Sequence, residues 1–155
     1  MDLTIPATLK SLSAAGSAIK ELTTWWKKAN GDSRALVGEL KDNLSYLDMV
    51  AEDGLDLGKV IDAISVSEYK RLSREGFNFN SLKKGKISHL PSLEKTDLSS
   101  WHGKETADLI ESIYDKLSDL KIRHPFVNKN ENYRWGVRVN NIRKRIWLLL
   151  KHVRS

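Results

Sequence analysis

Near its C-terminal end the chain reads NYRWGVRVNNIRKRIWLLLKHVRS, residues 132–155, and the side chains best able to do chemistry are concentrated there. Arg145 and His152 are the pair most suited to a reaction. Imidazole changes protonation near neutral pH, and guanidinium grips phosphate through parallel N–H bonds. Around them Arg134, Trp135, Arg138, Arg143, Lys144, Trp147 and Lys151 interleave cations with indoles. That is the composition of a surface that holds phosphates and stacks bases, and it equally suits an acidic protein or an anionic lipid surface.

The charge distribution makes the same segment stand out. Residues 1–60 carry 7 Lys/Arg against 9 Asp/Glu, and residues 61–120 carry 9 against 10. Residues 121–155 carry 10 against 1, so the whole of the +6 net charge arises in the last 35 residues. Such asymmetry speaks to partners and steering rather than to fold.

Other chemistries fail on residue type or spacing. With no cysteine there is no disulfide framework, thiolate nucleophile or Cys-based zinc site. The four histidines, His89, His102, His124 and His152, are scattered without ligand spacing, so no metal or other cofactor is expected. Gly54-Leu-Asp-Leu-Gly58-Lys59-Val60 is one residue short of a phosphate loop, lacks the hydroxyl after Lys, and puts Asp56 where phosphate would sit. Glu52, Asp53 and Asp56 do not have calcium-loop spacing. The longest uninterrupted apolar run, Ile146–Leu150, is far below the roughly 20 residues that span a bilayer. The N-terminus MDLTIPATLK lacks a secretory pattern. A cytoplasmic protein of one domain, residues 1–155, is the expectation.

The elements that must position these residues are helical. Leu9, Leu12, Ala15, Ile19, Leu22 and Trp26 form one stripe, with Pro6 suited to the first turn and Asn30-Gly31 as the stop. Val37, Leu40, Leu44, Leu47 and Ala51 form another stripe that ends before Gly54. Short helices are expected over 56–64 and 67–75, then an irregular crossing over 77–98 pinned by Phe77 and Phe79. Thr106, Ile110, Ile113, Leu117 and Leu120 mark a third long helix, with Asp108, Asp115 and Asp119 opposite and Pro125 as its end. Val139, Ile142, Ile146, Leu149 and Val153 mark the fourth. The expected fold is an all-α four-helix bundle with two short helices and an irregular crossing between its second and third long helices.

On the last helix, positions seven apart share a flank of the apolar stripe, which groups Arg138, Arg145 and His152; Arg143, Trp147 and Arg154 lie on the opposite flank. The sequence Arg145-Ile-Trp-Leu-Leu-Leu-Lys-His152 resembles the Arg–His pair of the HEPN superfamily of helical bundles. The resemblance implies a metal-independent ribonuclease, a homodimer, His152 as general acid or base and Arg145 holding the scissile phosphate. The opposite flank suggests binding instead: Arg143 and Trp147, four apart, are placed for a cation–π pair on the helix surface. The adjacent Trp25 and Trp26 cannot both face the core, and an indole beside Lys27 and Lys28 would offer a partner or dimer contact. The principal reading is therefore a binding protein that engages RNA, DNA or an acidic protein through its basic C-terminal helix, with the HEPN-like ribonuclease as the alternative.

Overall fold

The computed structural model describes residues 17–155, so the stripe positions Leu9, Leu12 and Ala15 and the start at Pro6 lie outside the described residues. Five α-helices are present there: α1 (Ser17–Lys28), α2 (Gly31–Ala51), α3 (Ser67–Arg74), α4 (Thr106–Val127) and α5 (Trp135–Arg154). Short 3-10 turns occupy Leu57–Lys59, Phe79–Leu82, Pro91–Leu93, Ser99–Trp101 and Glu131–Tyr133. Among the described residues no strand forms, and the one β-bridge joins Lys86 to Glu105. The protein is thus an all-α bundle, although not a clean four-helix one.

α5 is the hub. It packs against α1, α2 and α4, while α2 also meets α1 and α3. Its run Ile146–Leu150 is buried at every position, which requires neighbours on several sides rather than one. Val139, Ile142, Ile146 and Leu149 form the expected seam, facing Leu36, Val37, Leu40, Leu44 and Leu47 of α2 and Leu109, Ile110, Ile113, Leu117 and Leu120 of α4 in one core cluster. Val153 is only partly buried and Ala51 is exposed, so both outer ends of the expected stripes drift out of the core.

Two boundaries depart from the sequence pattern. Pro125 does not end α4, which runs on to Val127. A proline this near a helix terminus forfeits a single intrahelical bond, and the last turn closes over it. The segment expected as a helix over 56–64 tightens to the 3-10 turn Leu57–Lys59 and irregular turns. Leu57, Val60, Ile61 and Ile64 still bury there, and Lys121 Nζ of α4 donates to the carbonyls of Ile61 (3.1 Å) and Ile64.

Polar side chains on α2 fasten the short helix. Glu39 Oε2 accepts from Ser65 Oγ and from the Glu68 amide, both at 2.9 Å, and its Oε1 accepts from the Tyr69 amide at 3.2 Å. A carboxylate from a neighbouring helix thereby satisfies the first amides of α3. Asn43, one turn along, donates to the Ser65 carbonyl (2.7 Å) and accepts from its amide (2.9 Å). The crossing segment is pinned as expected, through a ladder of rings. Phe77 meets Phe79 edge-on at 5.1 Å, Phe79 lies 5.2 Å from Tyr69, and Tyr69 stacks on Tyr114 at 4.3 Å.

Candidate functional site

The cations of α5 are spent largely inside the protein. Arg143, only 1% exposed, sends three nitrogens to three acceptors: Nε to Asp48 (2.9 Å), Nη1 to Asn140 (2.8 Å) and Nη2 to Glu52 (2.6 Å). Burial outweighs the Arg143 charge at Asp48 and holds its carboxyl above the ordinary aspartate value. Lys144 lies 3.6 Å and Arg145 3.8 Å from the Asp97 carboxylate. Arg138 pairs with Asp119 at 3.1 Å, and Arg154 pairs with Glu21 of α1. The charge asymmetry of the sequence thus has a structural use. A basic central helix is tied to acidic neighbours on α1, α2, α4 and the crossing segment.

This arrangement corrects the expected binding flank. Arg143 and Trp147 are both buried rather than on the surface, so neither presents its polar atoms to an outside partner in this fold. The physical reason is α2: its acidic end, Asp48 and Glu52, covers this flank of α5. Lys151 lies half-buried with its ammonium 5.8 Å from the Trp147 ring. Trp26 likewise packs inward, its Nε1 so near Gly38 that a Cβ there would lie 3.2 Å away, with Arg34 over the ring at 4.1 Å. Trp25 lines a groove with Leu150 and Val153 whose edges are Lys20, Glu21, Lys28 and Arg154.

Arg145 and His152 do share a flank, but each is turned to internal partners. The Arg145 side chain is 12% exposed, its Nη1 donates to the Asn141 carbonyl at 2.9 Å, and its Nε is buried without a partner among the described residues. Burial lowers its affinity for the proton, against the pull of Asp97. His152, 5% exposed, places Nε2 2.7 Å from Thr106 Oγ1 on α4. Thr106 gives its one hydroxyl proton to the Lys83 carbonyl at 2.8 Å, so the imidazole Nε2 is the donor between them. Nδ1 is then the bare nitrogen, buried without a partner among the described residues. Burial first and the Lys83 charge after it push His152 below the ordinary imidazole value, and the neutral ring follows. Neither side chain lines the clefts beside Trp26, Tyr133, Trp101 or Trp25.

The remaining predicted residues meet at the corner where α4 turns into α5. Tyr133 and Trp135 stack at 5.4 Å and 15°, and the Arg138 guanidinium lies 5.0 Å from the first ring and 5.8 Å from the other. Arg138 Nε also donates to the Tyr133 carbonyl at 2.8 Å. Trp135 is further fixed by His124, edge-on at 5.1 Å, and by its own Nε1, which donates to the Asn128 carbonyl. Beside the stack runs a cleft of about 600 Å³ lined by Asp115, Lys116, Asp119, Tyr133, Arg134 and Arg138. Arg134 is exposed and has φ +47°, ψ +63°, the left-handed conformation, at the N-cap of α5. A side chain other than glycine is strained there by about 1 kcal/mol or more, and such strain clusters at sites of function.

Asp119 is the anchor that helical spacing alone puts on a solvated face. Its two oxygens accept from Arg123 Nε (2.6 Å) and Arg138 Nη1 (3.1 Å). Two guanidiniums share one carboxylate, which leaves the corner positive. Also missed by the sequence pattern were Ile122 and Phe126, 66% and 86% exposed. Their signal was present in the sequence, because they fall out of phase with the Ile113–Leu117–Leu120 stripe.

The chain matches no protein-family model, no curated protein and no solved structure. Among the described residues no group of three or more potential ligands converges on a metal position. The rings of His89 and His102 do come together, 5.8 Å apart, with Glu94 3.3 Å from His89. No described helix is long and apolar enough to cross a membrane.

Proposed function

We propose that the protein is a non-enzymatic binding module that holds a single nucleic-acid strand at the α4–α5 corner. The observation that carries this reading is the Arg138–Tyr133–Trp135 stack beside a cleft whose rim includes the exposed Arg134. Backbone phosphates would meet Arg134 and Lys116, and a base would extend the existing ring stack. An acidic polypeptide would satisfy the cations without using the aromatic platform, and for that reason nucleic acid is preferred. Burial and the neighbouring Arg145 and Arg138 charges weaken the hold of Lys116 on its proton, so an arriving phosphate would relieve repulsion already present in the cleft.

The test is fluorescence polarisation of labelled single-stranded RNA and DNA. Affinity should fall steeply with salt, and Arg134→Glu should weaken binding and flatten the salt slope by about one unit or more. Trp135→Ala should cost about 1–3 kcal/mol of binding, with circular dichroism confirming that the corner still folds. Absent binding at low salt, or binding indifferent to salt, would sink the proposal. Intact RNA after incubation is expected throughout. Cleavage lost on His152→Ala would instead favour the Arg145–His152 ribonuclease reading.

A further inference from the structure

Ile122 and Phe126 are the most exposed large apolar side chains among the described residues, and they lie one helical turn apart on α4. They belong to a longer strip. Asp108, Ser112, Asp115, Asp119, Ile122 and Phe126 follow spacings of three and four and so share the face of α4 turned away from its buried stripe. The strip changes character along its length. Its first half is mainly acidic, with Asp108, Glu111 and Asp115 exposed against the exposed cation Lys104 nearby; its other half is apolar with the exposed cation Arg123 alongside. In the first half lies a depression of about 470 Å³ beside Trp101 and Ser112, with the carboxylates Asp108, Glu111 and Asp115 outnumbering the cations Lys104 and Lys116.

We infer that this strip is an isologous interface with a second copy of the chain, the two α4 helices antiparallel about a two-fold axis near Asp119. A purely acidic partner would meet repulsion from Asp108, Glu111 and Asp115, and a purely basic one from Arg123. A partner must carry the same pattern reversed, and a second copy turned end for end does so. Residues equally far on either side of Asp119 then face each other. Arg123 of each copy meets Asp115 of the other. Phe126 falls opposite Ser112, about 10 Å along the axis from the two-fold at 1.5 Å per residue, and enters the depression beside Trp101. The two Asp119 carboxylates approach each other already paired with Arg123 and Arg138, so the centre of the interface is not a bare like-charge contact. The ring stack lies outside the strip, but Asp115 and Asp119 also line the cleft beside it and Arg123 Nη1 reaches the Tyr133 hydroxyl at 3.4 Å, so association would narrow that cleft; sedimentation without nucleic acid reads association alone.

Analytical ultracentrifugation of the full chain from low micromolar to several hundred micromolar is the test. A reversible shift from the 17.6 kDa monomer to twice that mass is expected. Phe126→Asp should raise the dissociation constant by roughly tenfold or more, because it puts a charge at an apolar anchor, whereas Phe126→Leu should leave a measurable dimer. Arg123→Asp and Asp115→Arg should each weaken association, and the two together should restore part of it. A monomer at every concentration would overturn the inference. So would a dimer indifferent to Phe126→Asp, or a double charge exchange no better than either single one.

Discussion

Arg143 and Arg145 lie two residues apart on α5, and the fold treats them in opposite ways. Arg143 is nearly sealed from water and has a matched acceptor for each of three nitrogens, two of them the carboxylates of Asp48 on α2 and Glu52 at its C-cap. Arg145 is almost as enclosed, yet it holds one backbone carbonyl of its own helix, a carboxylate at 3.8 Å, and a buried Nε without a partner among the described residues. The difference follows from what each flank faces. α2 brings Asp48 and Glu52 close against Arg143. The Arg145 flank faces Thr106, Lys116 and the crossing segment, where Asp97 is the nearest anion. One arginine fastens two helices. The other fills space with its stem and is imperfectly served at its head.

The sharpest way to break this contrast is the same substitution at both positions, Met, which keeps the stem volume and removes the charge. Arg143→Met leaves Asp48 and Asn140 turned into a largely closed site with nothing to donate to them. Removing one member of a buried pair costs about 3–5 kcal/mol. The half-exposure of Glu52 and water access to Asp48 place this case near about 3 kcal/mol, since solvent screens what remains. A fall in melting temperature of roughly 6–12 °C is expected for a chain of this size. Glu52→Gln, at the most exposed corner of the network, should cost under about 1 kcal/mol. If Arg143→Met melts like the unsubstituted protein, the network is not what joins α2 to α5.

Acid should separate the two flanks next. His152, on the Arg145 side, has a folded proton affinity below the ordinary imidazole value near 6.5. As pH falls through that value the unfolded chain takes up a proton that the folded one resists, so stability declines until the folded imidazole also titrates. Asp48, on the Arg143 side, runs the other way. Its folded affinity is above the ordinary value, so the folded chain protonates first on acidification and gains stability over that lower interval. His152→Gln retains a donor toward Thr106 and lacks the titration. Urea midpoints measured from pH 7.5 to 5 should slope less in this variant than in the parent. Equal slopes would mean that His152 is not held neutral.

The apolar seam of α5 was legible because helix period and burial coincide there: Ile142, Ile146 and Leu149 are where spacing puts them. The flanks were less so. Arg143 finds its acids 95 and 91 residues earlier in the chain, and nothing local announces a pairing made by helix packing. The run Ile146–Leu150 did carry a warning, since a helix apolar all round must be central and its flanks cannot all be surface. Trp147 buries for that reason. At the corner, Arg134, Trp135 and Arg138 were named from the interleaving of cations with indoles, but the same pattern pooled them with Arg143 and Trp147, which bury. Asp119 joined the corner only through the antiparallel return of α5 along α4. Pro125 misled because its consequence depends on how many turns follow it, and here the helix has nearly ended.

The effect expected at Arg145 is also small, and it is the most informative about chemistry. Arg145→Met removes a guanidinium whose Nε has no partner among the described residues and whose one hydrogen bond goes to a carbonyl four residues back in its own helix. Desolvating that charge already costs the folded state, as the direction of its proton affinity indicates, and the exposed Asp97 keeps Lys144 at 3.6 Å when Arg145 is gone. Replacing a poorly paired buried charge by an apolar side chain of similar length is often neutral or stabilising, so the melting temperature should move by no more than about 4 °C in either direction. A loss as large as that at Arg143 would erase the distinction between the two arginines. A variant that keeps its stability while losing an RNA-dependent activity would show that Arg145 is held imperfectly because its partner comes from outside the chain.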